Sequence, residues 1–188
     1  MTDTLFTRIA RDKLAPEWQP AWDMLNDLTG SATFVEVFAQ NPALLEFVMQ
    51  KFYMHVFFGG SVAQRYKQLA RLRLSLLHGC RTCNRQNIPG ALGAGFTQAQ
   101  IDALIAGSDA PFSAAERAVI RYAEQVALTN NQGAMTPELF GALRKHFSEA
   151  DILELGVAMA VISGMAKLSF VLDVVDKETT CPFTSKAA

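Results

Sequence analysis

From residue 155 to residue 166 the sequence carries no charged side chain, and no other stretch constrains the fold as much. Glu154 and Lys167 bracket the run, which leaves it short of the ~18 uninterrupted apolar residues that a membrane span usually needs. The segment from Asp151 to about Val175 is therefore expected to be a buried central helix rather than a span. Gly156, Ala160 and Gly164, four apart, would give it one smooth face for a close neighbour. No stretch shows sustained period-two alternation or a hairpin signal, so an all-α, compact multi-helix fold of about seven to nine helices is expected.

The other helices announce themselves by their ends. Trp18, Trp22 and Leu25 define a short amphipathic helix with Pro20 in its first turn, closed by Gly30. Asn41-Pro42 caps and opens a segment that is apolar on nearly every side, with Leu44, Phe47, Val48, Phe52, Val56 and Phe57 among its contacts. Ser61-x-x-Gln64, Thr97-x-x-Gln100 and Ser113-x-x-Glu116 are capping-box patterns, each predicting a helix start. Pro137 opens one more.

With 188 residues, half of them hydrophobic and 19% charged, the chain has apolar material for one sizeable core. That domain is expected over residues 1–175, with an arm at 1–16 and a polar, mobile tail at 176–188. The formal net charge of −1 offers no electrostatic basis for binding nucleic acid or an anionic membrane. The first sixteen residues lack a secretory apolar run, and three cysteines without a regular framework suit a reducing, cytoplasmic setting.

Cys80 and Cys83 carry the sharpest chemistry. If Cys80 opens a helix, Cys83 follows almost one turn later on the same face, with alpha carbons about 5 Å apart. The helix start favours a thiolate through its unpaired N–H groups and dipole, and Arg81 and Arg85 add positive charge. His78 is the one neighbouring acid–base group, either a base of near-neutral pKa or a helix-end histidine bound to backbone carbonyls. Ser75 lies seven residues beyond Gln68 and shares its face. Zinc would need two further ligands that the sequence does not supply, so neither metal nor cofactor is expected. His55 is read as a core or interface histidine, and Met49, Met54, Met159 and Met165 as gap-filling core. Glu154 is read as a first-turn carboxylate, Pro89 as a kink or helix end, and Cys181 as an incidental thiol.

The block from Gln68 to Leu104 resembles the alkyl hydroperoxidase D-like and carboxymuconolactone decarboxylase-like superfamily. The likeness rests on Leu72-Arg73-Leu74-Ser75, His78-Gly79-Cys80-x-x-Cys83, Ala91, Gly95 and Thr97-x-x-Gln100-Ile101. It implies an all-α fold with the C-x-x-C at a helix N-terminus, assembled into dimers, trimers or hexamers. It also implies that the dithiol reduces a hydroperoxide and is reset by a lipoyl or thioredoxin-like dithiol partner. The chain departs from the family at the proton relay. The family glutamate twelve residues before the first cysteine is Gln68, the histidine four after the second is Asn87, and Thr82 stands where some members have histidine. Neither Gln68 nor Asn87 exchanges a proton near neutral pH.

The expected function is a thiol-dependent peroxidase or disulfide oxidoreductase, slow because losing a general base commonly costs ~10²–10⁴ in rate. Two other classes stay open: a lyase resembling carboxymuconolactone decarboxylase, which needs no cysteine, and a non-catalytic assembly protein.

Overall fold

The structure, a computed structural model, describes residues 4–128 and 132–178; Cys181 and the rest of the expected tail from 179 on lie outside the described residues. Two 3-10 turns, Arg11–Lys13 and Pro16–Trp18, precede α1 (Gln19–Thr29), α2 (Thr33–Phe38) and α3 (Pro42–Glu46). A π-helix over Phe47–Phe57 follows, then α4 (Gln64–His78), α5 (Arg81–Gly93), α6 (Gln98–Ile105), α7 (Ala114–Ala127), α8 (Pro137–Arg144) and α9 (Glu149–Val171). Among the described residues there is no β-strand, as the missing alternation predicts.

The hub is α4, which packs against α5, α7 and α9. Its two apolar stripes serve two cores. Ala70 and Leu74 meet Val119, Leu143, Leu155 and Met159 on one side, while Leu69 and Leu72 meet Ala91, Ile101, Leu104 and Ile120 on the other. A third core joins Trp18, Leu25, Val35 and Leu45 to Phe170, Val174 and Cys80. The expectation of α9 as a buried central helix is corrected to a helix buried on one side. By length and composition α9 could cross a bilayer, yet it has one buried side, with Leu155 and Met159, and one bare side, where Leu153 and Val171 are 68% and 80% exposed. Of its small-residue series, Ala160 and Gly164 are exposed. Gly156 alone makes a close approach, since an added Cβ there would sit 2.3 Å from the Tyr122 hydroxyl.

Capping boxes form at Thr97 and Ser113 as expected, and a third, Ser148 with Asp151, starts α9 two residues early at Glu149. Gly30 closes α1 in the left-handed conformation, φ +77°. Ser61 does not cap α4, whose N-cap is Ala63 with no side-chain bond. Its hydroxyl instead donates to Asp151 and Glu154, at 2.9 and 2.8 Å. Glu154 is correspondingly more than a first-turn carboxylate. It accepts the backbone N–H groups of Ser61 and Val62 at 2.8 and 3.1 Å, and pairs at 2.6 Å with Lys67, whose side chain is fully buried. Burial works against the charge, but the bonds from Lys67, Ser61 and Val62 outweigh it and hold the carboxyl below its usual range. Pro89 neither ends nor divides α5, which runs on to Gly93.

Leu44 and Phe47 are about half exposed rather than core contacts. His55 is also exposed, its Nδ1 2.9 Å from the Gln50 carbonyl oxygen. Of the four methionines only Met159 is core; Met49, Met54 and Met165 line the cavity described below.

Candidate active site: a dithiol in the wall of an apolar cavity

Gly79 makes the turn from α4 into α5 at φ +63°, a left-handed conformation that side-chain-bearing residues adopt at a cost. The turn delivers Cys80 as the N-cap of α5, where its sulfur accepts the Cys83 backbone N–H at 3.2 Å. Cys80 and Cys83 are joined as a disulfide with alpha carbons 5.2 Å apart, matching the spacing expected from one helical turn. The segment after α9 crosses over this tip. Lys177 pairs with Cys80 in an antiparallel bridge, Glu178 N–H donates to the Gly79 carbonyl at 2.7 Å, and Asp176 N–H donates to the Thr82 hydroxyl at 2.8 Å. Residues 176–178 are thus bonded to the motif rather than the start of a loose tail, and Thr82 anchors them. Arg81 pairs with Glu178 and Arg85 donates to the Thr29 carbonyl, so both arginines have structural partners.

The two sulfurs face different surroundings. Cys80 is completely buried. Cys83 is half-buried and lines a cavity of about 450 Å³ between α1, the π-helix, α4, α5 and α9. The walls are largely apolar side chains. Most of the polar groups come from two stripes, Gln68, Arg71, Ser75 and His78 along α4 and Thr82, Cys83, Gln86 and Asn87 along α5, with Ser31, Tyr53 and Ser169 added from elsewhere. Every candidate residue read from the sequence except Cys80 therefore borders one space. Arg71 was not foreseen, although the three- and four-residue steps from Gln68 to His78 run through it. Among the described residues no three His, Cys, Asp or Glu side chains converge where a metal ion could sit.

Residues 42–125 match the profile of the Carboxymuconolactone decarboxylase family, and that span contains the disulfide, the cavity stripes and the hub helix. The match covers less than half of the chain and includes the block from Gln68 to Leu104 that carries the resemblance in sequence. No curated protein matches it in sequence. Among solved structures, the chain is similar in fold to the debrominase Bmp8. The apo form gives a TM-score of 0.74 at 18% identity over 95% of each chain. A cysteine-to-alanine variant in complex with 2,3,4-tribromopyrrole gives 0.73 at 17%, over 94% of this chain and 93% of that one. An Agrobacterium tumefaciens protein of unknown function, named as a candidate antioxidant defence protein AhpD, gives 0.63 at 21% over 72% of this chain and 91% of that one. At these identities the likeness is one of fold.

The substituted relay positions, Gln68 and Asn87, hold neutral amides. The Asn87 side-chain oxygen accepts the Arg71 Nε–H, and its amide donates back to the Arg71 carbonyl at 3.4 Å. The buried Gln68 oxygen has no hydrogen-bond partner among the described residues. Gly90 leaves it room, because a Cβ there would lie 2.7 Å away. Ser75 donates to the Leu72 carbonyl.

His78 does not have the near-neutral pKa expected of a relay base. Burial first, and then the charge of Lys167, lower it from 6.5 to about 4, so the ring is neutral at pH 7. The unfolded chain takes up this proton near pH 6.5 and the folded chain near 4. Stability is therefore complete above that interval and falls as pH drops through it, by on the order of 3 kcal/mol at most. Denaturant midpoints recorded between pH 7 and 4 for wild type and His78→Asn should diverge, the variant having the flatter dependence. Parallel curves would assign the acid sensitivity elsewhere.

Proposed function

We propose that this protein is a dithiol oxidoreductase that reduces a bulky, mainly apolar organic hydroperoxide held in the cavity. The asymmetry of the two sulfurs carries the reading: Cys83 borders the cavity and Cys80 is sealed behind it. The Cys83 thiolate attacks the peroxide oxygen distal to carbon and breaks the O–O bond. The alkoxide leaves, takes a proton to become the alcohol, and Cys83 becomes a sulfenic acid. Cys80 then attacks that sulfur and expels water. The substrate gains two electrons, the dithiol loses two, and the resulting bond is the one joining Cys80 to Cys83. A lipoyl or thioredoxin-like dithiol returns the pair to the thiol form. With Gln68 and Asn87 as amides and His78 held near 4, none of the described side chains lining the cavity with Cys83 is poised as a neutral-pH base, which supports slow turnover.

The reduced protein mixed with cumene hydroperoxide should lose two titratable thiols per chain while one equivalent of 2-phenyl-2-propanol appears. An unchanged thiol count, with carboxymuconolactone turnover that survives a Cys80→Ser, Cys83→Ser double substitution, would establish a lyase instead.

A second reading, reductive dehalogenation, draws support from the cavity, which is far larger than a peroxide group requires, and from the near full-length likeness to Bmp8. There the same dithiol would supply two electrons, a proton would replace bromine on carbon, and bromide would leave. Bromide release from a brominated pyrrole, with matched thiol loss, distinguishes this outcome from hydroperoxide reduction.

A further inference from the structure

Arg71 is the least expected group in the molecule. It lies mid-way along the hub helix, is only 5% exposed, and borders the cavity beside the redox pair. A guanidinium stays charged in proteins and presents five N–H donors. One of these, on Nε, is used by Asn87. The rings of Tyr53 and Phe57 lie 5.9 and 5.4 Å from its central carbon. No carboxylate among the described residues pairs with it, unlike the other buried cation, Lys67, which has Glu154. Burial pushes its pKa down, the direction expected of a charge that has lost water without gaining a counter-ion. An unpaired buried charge is costly, and folds keep one where an anion completes it.

We propose that Arg71 is the anion-recognition residue of the cavity, so that the preferred ligand is a planar aromatic body carrying one negative charge, such as an aromatic carboxylate. The two terminal guanidinium nitrogens supply a forked pair of donors that matches a carboxylate. Asn87 fixes their orientation from the Nε side and through the Arg71 backbone carbonyl, which gives the amide at that position a task a histidine would not perform in the same way. Tyr53 and Phe57 back the guanidinium, and the aliphatic and aromatic walls take the ring. The catalytic meaning of this site rests on the dithiol reading above, because it makes the anion a substrate handle. The binding itself does not.

The test uses the disulfide form of the full chain, in which no thiolate competes for the guanidinium. Calorimetric titration with 2-naphthoate and with its neutral isostere 2-naphthamide should show the acid binding about ten- to hundredfold more tightly, the range for a charge-assisted hydrogen bond in a buried site. Arg71→Gln should abolish the preference, and Arg71→Lys should keep part of it. The Cys80→Ser, Cys83→Ser double variant, which likewise has no thiolate at the motif, should keep the preference while losing turnover, so failure of the thiol chemistry and failure of the anion site register separately. Equal affinity for acid and amide in the wild type, which needs no variant to fold, would overturn the proposal. So would a preference that survives in folded Arg71→Gln. No acid binding together with a raised Cys83 thiol pKa in Arg71→Gln would make Arg71 a thiolate partner only, and would also overturn it.

Discussion

Replacing Cys83 with serine should reduce hydroperoxide turnover by roughly 10³-fold or more, since a missing nucleophile is among the costliest single changes an enzyme can suffer. Cys80→Ser should behave differently. Its single-turnover burst of alcohol, one equivalent per chain, should persist, because the cavity-facing sulfur is intact. Multiple turnover should fail, because nothing resolves the sulfenic acid. Trapping that sulfenic acid with dimedone in the Cys80→Ser protein, and its absence in Cys83→Ser, is the direct check. Equal bursts from both variants would show that the sealed sulfur reacts too, against the burial of Cys80. The N-cap bond from the Cys83 N–H to the Cys80 sulfur contributes to the same division of labour. It favours negative charge on Cys80, which makes that sulfur the better leaving group when a reductant attacks Cys83.

The largest stability change is expected at the Lys67–Glu154 pair. Glu154→Ala leaves a fully buried ammonium with the Val56 carbonyl as its remaining partner, at 3.0 Å, and also frees the N–H groups of Ser61 and Val62. Breaking a buried pair from one side costs about 3–5 kcal/mol, a large share of a typical domain's stability. Lys67→Met should cost less, because Glu154 retains three donors and some contact with solvent. Urea titrations of the two variants should show this inequality, and the reverse order would mean that the carboxylate is the more dependent partner. Gly60→Ala belongs to the same locus, since its Cβ would lie 2.2 Å from a Glu154 oxygen and 2.7 Å from the Val56 carbonyl. The pH dependence has a definite sign. The lowered Glu154 pKa contributes stability above the ordinary carboxylate range, and that contribution is lost as the carboxylate protonates in acid.

Local chemistry made the helical class, the dithiol spacing and two capping boxes legible in the chain. Thr97 and Ser113 satisfy their own helix starts from within four residues, so nothing distant can reassign them. Ser61 carries the same short pattern and fails because Glu154 and Asp151, from the far end of the chain, take its hydroxyl. The π-helix was illegible for a related reason: a run apolar on every side has no stripe from which a period can be measured. Arg71 and Arg73 look equivalent in Arg-Leu-Arg-Leu-Ser, two residues apart. Yet Arg73 reaches Glu124, while Arg71 turns inward to Asn87. Only the partners decide which arginine is the buried one, and sequence order does not display them. Which of the two roles open to His78 applies was hidden likewise, because its position beside the motif is local and the burial that lowers its pKa is not.

The crossing of residues 176–178 over the α5 tip has a consequence for how the molecule is made. Asp176 lies 94 residues beyond the threonine it caps, so during translation both cysteines emerge long before their cover exists. A chain made only as far as α8 holds both cysteines but not the residues 176–178 that bond to the α5 tip. The strand-like segment that bridges Cys80 is thus added after every helix of the described fold has been made.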